Sequence, residues 1–284
     1  MTAPPNSFPT DHGRFYQHPR MQLADWQKRS AHTIEEGPYT PNPSVTNIID
    51  MKAKEFLPPL YARKVAEYVV NNLDAVKYSI DRFGPDVAKG SLKAVAEQRE
   101  VNGPSDIGDE VHAAIDGFCR GEDYPESFST NTAKAMYDQW VHFAFEYFNM
   151  DRAFILRSEF TVWSYEYGYA GTGDLLFEKD GETWLVDTKT GTRVYPEVAL
   201  QTAALANADV ILDADGNEHP MPLVHKLGVL HVRPRSVKLY ELGNADEAFK
   251  TFLACKQLFD WKRFGSQGVL GDPAFKTEWR KDAA

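Results

Sequence analysis

Cysteine is scarce in this chain: Cys119 and Cys255 are the only two among 284 residues. Neither belongs to a CxxC pair, so a four-thiolate structural zinc site and a cysteine-ligated iron–sulfur cluster are excluded within the chain. One disulfide between them is conceivable, but without a secretion signal two unpaired, partly buried thiols are expected. Long apolar runs are missing too. No stretch reaches the roughly 18 residues that a membrane-spanning helix needs, and "MTAPPNSFPTDHGRFYQHP" has no apolar core of a signal peptide. A soluble, cytoplasmic protein with no membrane partner is the expectation. No glycine-rich phosphate loop interrupts a βαβ unit, which leaves Rossmann and P-loop readings without support. Positive charge is also in deficit, with a formal net charge of −10. That argues against loose, charge-driven binding to nucleic acid. It leaves room for an enzyme whose acids gather around metal ions while a local basic groove faces phosphates.

What the chain does have is a change of pattern near its middle. Residues 1–43 are rich in Pro, His and polar groups and are expected to be extended or poorly ordered. Residues 44–284 then read as one domain, helical over 44–150 and sheet-forming over 151–284. Ser44 can cap a short helix, Pro58 and Pro59 interrupt, and a second helix runs to about Leu73. Further helices are predicted over about 75–100, 105–120 and 131–149. From Ala153 the period changes to two: Phe154, Leu156, Ser158, Phe160 and Val162 alternate with Ile155, Arg157, Glu159, Thr161 and Trp163. "YPEVALQTAALANAD" returns to helix, with Pro196 and Glu197 at its start. "HKLGVLHVRPRSVKLYEL" gives two strands or one hairpin, and Asn244 can cap a last helix. Helices, strands, helix, strands, helix in this order suggest an α/β sandwich around a mixed sheet, with a helical N-terminal elaboration.

The stretch "GTGDLLFEKDGETWLVDTKTG" at 171–191 carries the chemistry. Asp180-Gly181 has the composition of a two-residue type I′ turn, and the turn alone fixes the register. Lys179 then faces Glu182, Phe177 faces Trp184, Leu175 faces Val186 and Asp174 faces Asp187, with β-carbons about 5 Å apart. Two like charges side by side are destabilising unless something positive lies between them, and a hard divalent cation is the simplest candidate. Lys189, two residues past Asp187, falls on the same face. The opposite face carries Leu175, Phe177, Trp184 and Val186 and can pack on a core. Either aspartate alone reads as a solvated strand end with Lys189 as its ion-pair partner; the convergence of all three favours a site.

This arrangement resembles the PD-(D/E)XK nuclease superfamily, in particular its RecB-like exonuclease branch. The matching residues are Asp174 in "GTGDLLF" and Asp187 and Lys189 in "VDTKTG". "SVTNIID" and the overall size also look like the exonucleases of actinobacterial bacteriophages. The resemblance implies a restriction-endonuclease-like core and extends to a histidine on an upstream helix as a metal ligand, supplied by His112 in "GDEVHAAIDGF", and to a glutamate on the preceding strand, supplied by Glu159 in "RSEFTVW". A Gln-x-x-x-Tyr motif usually follows; here Gln201 stands, but Leu205 occupies the tyrosine position. The main-chain carbonyl of Thr188 completes the implied ligand set. The implied activity is metal-dependent DNA hydrolysis with Mg²⁺ or Mn²⁺, in recombination, repair or DNA processing, acting on DNA beside a recombinase or single-strand-binding partner.

Each position also has a blander reading. His112 lies on the flank of the apolar stripe Ile107, Val111, Ala114, Ile115 and Phe118, where a lone histidine is usually a boundary residue. Glu159 is either an ion-paired strand residue or a carboxylate at the metal. Gln201 either orients a ligand or touches DNA. The aromatics of "VWSYEYGYAG" read as packing, and Arg193, Arg233, Arg235 and Lys238 as a solvated face. Two other functions remain in view: a non-catalytic DNA-binding module on the same fold, and a metal-independent carboxylate enzyme such as a glycoside hydrolase, in which Lys189 has no obvious place.

Overall fold

The computed structural model describes residues 7–10, 13–18, 41–51, 57–97, 104–148, 154–213, 215–266 and 268–275. Strands β1 (Ser7–Thr10), β2 (Gly13–Tyr16) and β3 (Asn42–Pro43) form a small antiparallel sheet. Helices follow: α1 (Val45–Ile49), α2 (Leu57–Asn71), α3 (Leu73–Phe83), α4 (Pro85–Glu97), α5 (Pro104–Cys119) and α6 (Asn131–Phe148). Then come β4 (Ile155–Ser164), β5 (Tyr169–Lys179), β6 (Glu182–Lys189), α7 (Val198–Ala206), β7 (Val210–Leu212), β8 (Glu218–Pro220), β9 (Lys226–Arg233), β10 (Ser236–Leu242) and α8 (Ala245–Asp260), which ends in a π-helical turn, Trp261–Gly265.

The seven strands β4–β10 make one mixed sheet in the order β10-β9-β6-β5-β4-β7-β8. Its one parallel pair is β6–β9, and α7 lies in the crossover between them. Every other neighbouring pair is antiparallel. The hairpin register is the one its turn dictates. Asp180 and Gly181 both take positive φ, 54° and 81°, and Lys179, Phe177 and Leu175 face Glu182, Trp184 and Val186.

Helices cover both faces of the sheet. Leu175, Phe177, Trp184, Val186 and Leu230 pack against Val111 and Ile115 of α5 and Trp140 and Phe148 of α6. Leu176, Leu185, Phe160 and Val162 pack on the other side with Ile48 of α1, Leu205 of α7 and Phe252 of α8. Alternation along β5 and β6 thus feeds two cores, as a doubly covered sheet requires. The fold is mixed α/β, with a seven-stranded mixed sheet flanked by helices.

Several local expectations need correction. Of the segment expected to be extended or poorly ordered, the described parts are extended strands, with Phe15, Tyr16 and His18 buried; the expectation for 1–6, 11–12 and 19–40 lies outside the described residues. Ser44 caps α1 as expected, its Oγ accepting from Asn47 N at 3.0 Å. Pro58 and Pro59 do not interrupt a helix; they sit in the first turn of α2, where no N–H is required of them. The single helix expected over 75–100 is divided at Gly84, and α4 starts on Pro85. Asn244 stands at the N-cap of α8 but in left-handed conformation and without a side-chain cap bond. The three-residue strands β7 and β8 are too short to leave a periodic signal. Among the described side chains of α2, α3 and α4, only Ala88 is buried. Both cysteines are half-buried, and neither forms a disulfide among the described residues. Among the described residues no helix is long and apolar enough to cross a membrane.

Candidate metal centre

The β5–β6 ladder runs without a break from Lys179–Glu182 to Leu175–Val186 and stops there. Asp174 and Asp187 are the next positions in register, and they do not pair. Instead the Thr188 N–H donates to Asp174 Oδ2 at 2.6 Å. A carboxylate thus stands where a ladder carbonyl would otherwise accept. On the other side of β5, β4 pairs Ser158 with Leu175 and Phe160 with Gly173. Glu159 lies between these pairs, opposite Asp174 and out of the ladder. Its φ of 44° is in the left-handed region, which costs a non-glycine residue about 1–2 kcal/mol. A plain strand would not make that excursion.

The excursion leaves Glu159 beside its partners. His112 Nδ1, from α5, lies 3.5 Å from Glu159 Oε1 and 3.7 Å from Asp174 Oδ2. One ligand atom from each of His112, Glu159 and Asp174 falls within 4.8 Å of the other two. The structure therefore gathers three of the expected residues at the point where the hairpin ladder ends.

Asp187 and Lys189 form the adjoining half. β9 holds their strand from the other side, pairing Asp187 with Val229, Thr188 with Leu230 and Lys189 with His231. Asp187 is 1% exposed. Lys189 Nζ lies 2.7 Å from its Oδ2, so the buried carboxylate is ion-paired with the ammonium. The loop after Lys189 is tied down by β9 as well: His231 Nε2 lies 2.8 Å from the Gly191 carbonyl, and Arg233 donates to the Thr190 carbonyl.

The electrostatics of the site follow from this crowding. Burial works against a charged His112, but the Asp174 charge and then Glu159 outweigh it and hold its pKa up at about 9. Burial pushes Asp174 above the usual carboxylate range, opposed by His112 and Lys189. Burial also raises Asp187, to about 6, against the pull of Lys189. For Lys189, burial would lower the pKa, but the Asp187 and Asp174 charges raise it above its ordinary value, so the ammonium is charged at neutral pH.

The remaining expected residues fall in different places. Thr188 meets Asp174 through its N–H. Gln201 is half-buried on α7, and no hydrogen bond or ion pair joins its side chain to the cluster among the described residues. Leu205, in place of the tyrosine, is a core residue. Trp163 and Tyr169 are buried packing residues, and Tyr169 donates to the Ala204 carbonyl. Sequence reasoning passed over Asp116 and Ser158, which hydrogen-bond each other at 2.6 Å beside the cluster. The signal was present: Asp116 stands four residues after His112, on the same helix face.

No protein-family model matches the chain, and no curated protein matches it.

The donor set suits a hard divalent cation. It offers carboxylate oxygens and one imidazole nitrogen and no thiolate, a set that could hold a divalent cation. One ligand atom of each of His112, Glu159 and Asp174 lies close enough to the others that the three side chains would hold one cation between them.

Proposed function

We propose that the chain is a metal-dependent DNA exonuclease of the RecB-like branch of the PD-(D/E)XK superfamily, with a restriction-endonuclease-like core. One observation carries this reading. His112, Glu159 and Asp174 converge at the open end of a hairpin whose second strand continues into the Asp187–Lys189 pair. Paired acids alone serve many reactions; acids plus histidine beside a charged, anchored lysine suit an anionic substrate.

His112, Glu159 and Asp174 would hold the cation, with Asp187 and the Thr188 carbonyl as the further ligands that the resemblance implies. When bound, Mg²⁺ or Mn²⁺ supplies acidified water and a polarised phosphoryl oxygen. The chain's own groups do the rest. Asp187 anchors Lys189, whose side chain is 39% exposed, and the ammonium offers donors to the scissile phosphate and to water. Because its pKa is raised, Lys189 acts first as a charged orienting group rather than as a base. His231 and Arg233 keep the following loop in place and so limit how far Lys189 can swing.

The test is degradation of end-labelled linear DNA beside a covalently closed circle, with Mn²⁺ and with EDTA. Loss of the linear DNA alone, only with the metal, supports an exonuclease. Cleavage of the circle as well makes it an endonuclease with the same chemistry. Binding without any cleavage leaves a DNA-binding module and removes the enzymatic reading.

A further inference from the structure

We propose that Asp116 is a positioning residue for the metal centre: through Ser158 it holds Glu159 within reach of His112. This rests on reading the His112 cluster as a metal centre. Residues 108, 112 and 116 of α5 repeat at intervals of four and therefore form one stripe down the helix. Each touches a different part of the site. A β-carbon on Gly108 would lie 2.9 Å from Thr190 Oγ1, so the helix runs close against the residue that follows Lys189. His112 faces Glu159 and Asp174. Asp116, buried, accepts from Ser158 Oγ at 2.6 Å through its Oδ1.

Ser158 is the residue just before Glu159. The Ser158–Leu175 and Phe160–Gly173 pairs hold the chain in the sheet on both sides of the left-handed position, and the Ser158 bond to Asp116 adds a tie from that point to α5. The Ser158–Asp116 bond and the 3.5 Å His112–Glu159 ion pair both join this stretch of β4 to α5, the first through the backbone neighbour of Glu159 and the second through its side chain. The other oxygen of Asp116 meets Arg120, itself paired with Glu122. That offers a rival role, in which Asp116 merely closes an ion pair at the end of α5.

The two roles separate by substitution. The measurement is Mn²⁺ affinity of the full chain, by titration calorimetry or electron spin resonance, with thermal unfolding recorded beside it. Asp116→Ala and Ser158→Ala are expected to weaken Mn²⁺ binding by about tenfold, the low end for outer-shell partners of metal ligands. Asp116→Asn keeps an oxygen for Ser158 and is expected to stay within about twofold of the wild type on the same scale. Arg120→Ala is expected to leave affinity unchanged. Wild-type affinity in both Asp116→Ala and Ser158→Ala overturns the proposal. So does a loss in Arg120→Ala equal to that in Asp116→Ala while Ser158→Ala stays normal. If Asp116→Ala does not fold, Ser158→Ala decides alone. A wild type that binds no Mn²⁺ removes the metal-centre reading itself, before any variant is compared. A wild type that binds Mn²⁺ but cuts no DNA removes the nuclease reading and leaves this proposal to the affinities.

Discussion

The two ends of one hairpin behave differently. At the turn end β5 and β6 pair residue by residue, Phe177 and Trp184 stack with their ring centres 5.9 Å apart, and every side chain goes where alternation sends it. At the open end the ladder stops, Asp174 accepts from a backbone N–H of the opposite strand, and Glu159 on the next strand turns left-handed. The first end is ordered by local chemistry and apolar burial. The second gathers like charges that the fold alone would keep apart, and such conflicts mark functional sites.

Substitutions at the two ends should therefore fail in different ways. The largest effect is expected for Asp174→Ala and Lys189→Ala. Each should lower DNA cleavage by about a thousandfold or more, the scale on which transition-state groups act, with the circular dichroism spectrum unchanged. Trp184→Ala should do the opposite, costing about 3–5 kcal/mol of stability by denaturant unfolding, as buried aromatic truncations do, while the surviving folded fraction keeps its specific activity. Loss of both properties together in Lys189→Ala would erase the distinction between the ends.

The pH dependence sharpens it further. His112 in the metal-free protein has a pKa of about 9 against 6.5 for the free side chain. The folded state binds that proton more tightly, so its stabilisation is complete below 6.5 and is lost as pH rises through about 9. The thermal midpoint of the metal-free protein should fall over that interval, and His112→Gln should flatten the fall. Metal binding runs the other way. A ligand must be deprotonated, so at pH 7.5 Mn²⁺ should displace about one proton, measured by calorimetry in buffers of different ionisation enthalpy. No proton release would mean that His112 is not a ligand.

The smallest expected effects concern backbone strain. Glu159→Gly should relieve the left-handed position and stabilise the fold by about 0.5–1 kcal/mol, while weakening Mn²⁺ binding. Gly181→Ala, at φ 81° in the turn, should cost about 1 kcal/mol and leave Mn²⁺ affinity alone. Opposite signs for two substitutions at positive φ would separate a residue kept for geometry from one kept for function.

The same contrast governs what could be read from the sequence. Asp180-Gly181 specified its own turn, and the turn specified every pair up to Leu175–Val186; the expected Asp174–Asp187 pair does not form, because the ladder stops one position short of it and Asp174 accepts from Thr188 instead. Ser44, α5, α6 and the β9–β10 hairpin were legible for similarly local reasons. Glu159 was assigned by alternation to the face of Arg157 and Thr161; its left-handed turn depends on packing between β4, β5 and α5, which no window of sequence contains. The small N-terminal sheet joins residues on both sides of a long intervening segment, and β7 and β8 owe their existence to neighbours rather than to their own three residues. Asn244 had the right residue type for a cap, but its own conformation rules the cap bond out.

The central claim is that the open end of this hairpin hydrolyses DNA with a metal ion and Lys189. The most direct measurement compares the wild type and Lys189→Ala on the same end-labelled linear DNA at saturating Mn²⁺, with EDTA as the control. The expected result is rapid degradation by the wild type, none with EDTA, and a product trace from Lys189→Ala indistinguishable from the EDTA lane. Degradation by Lys189→Ala at the wild-type rate, or degradation that persists in EDTA, would contradict it.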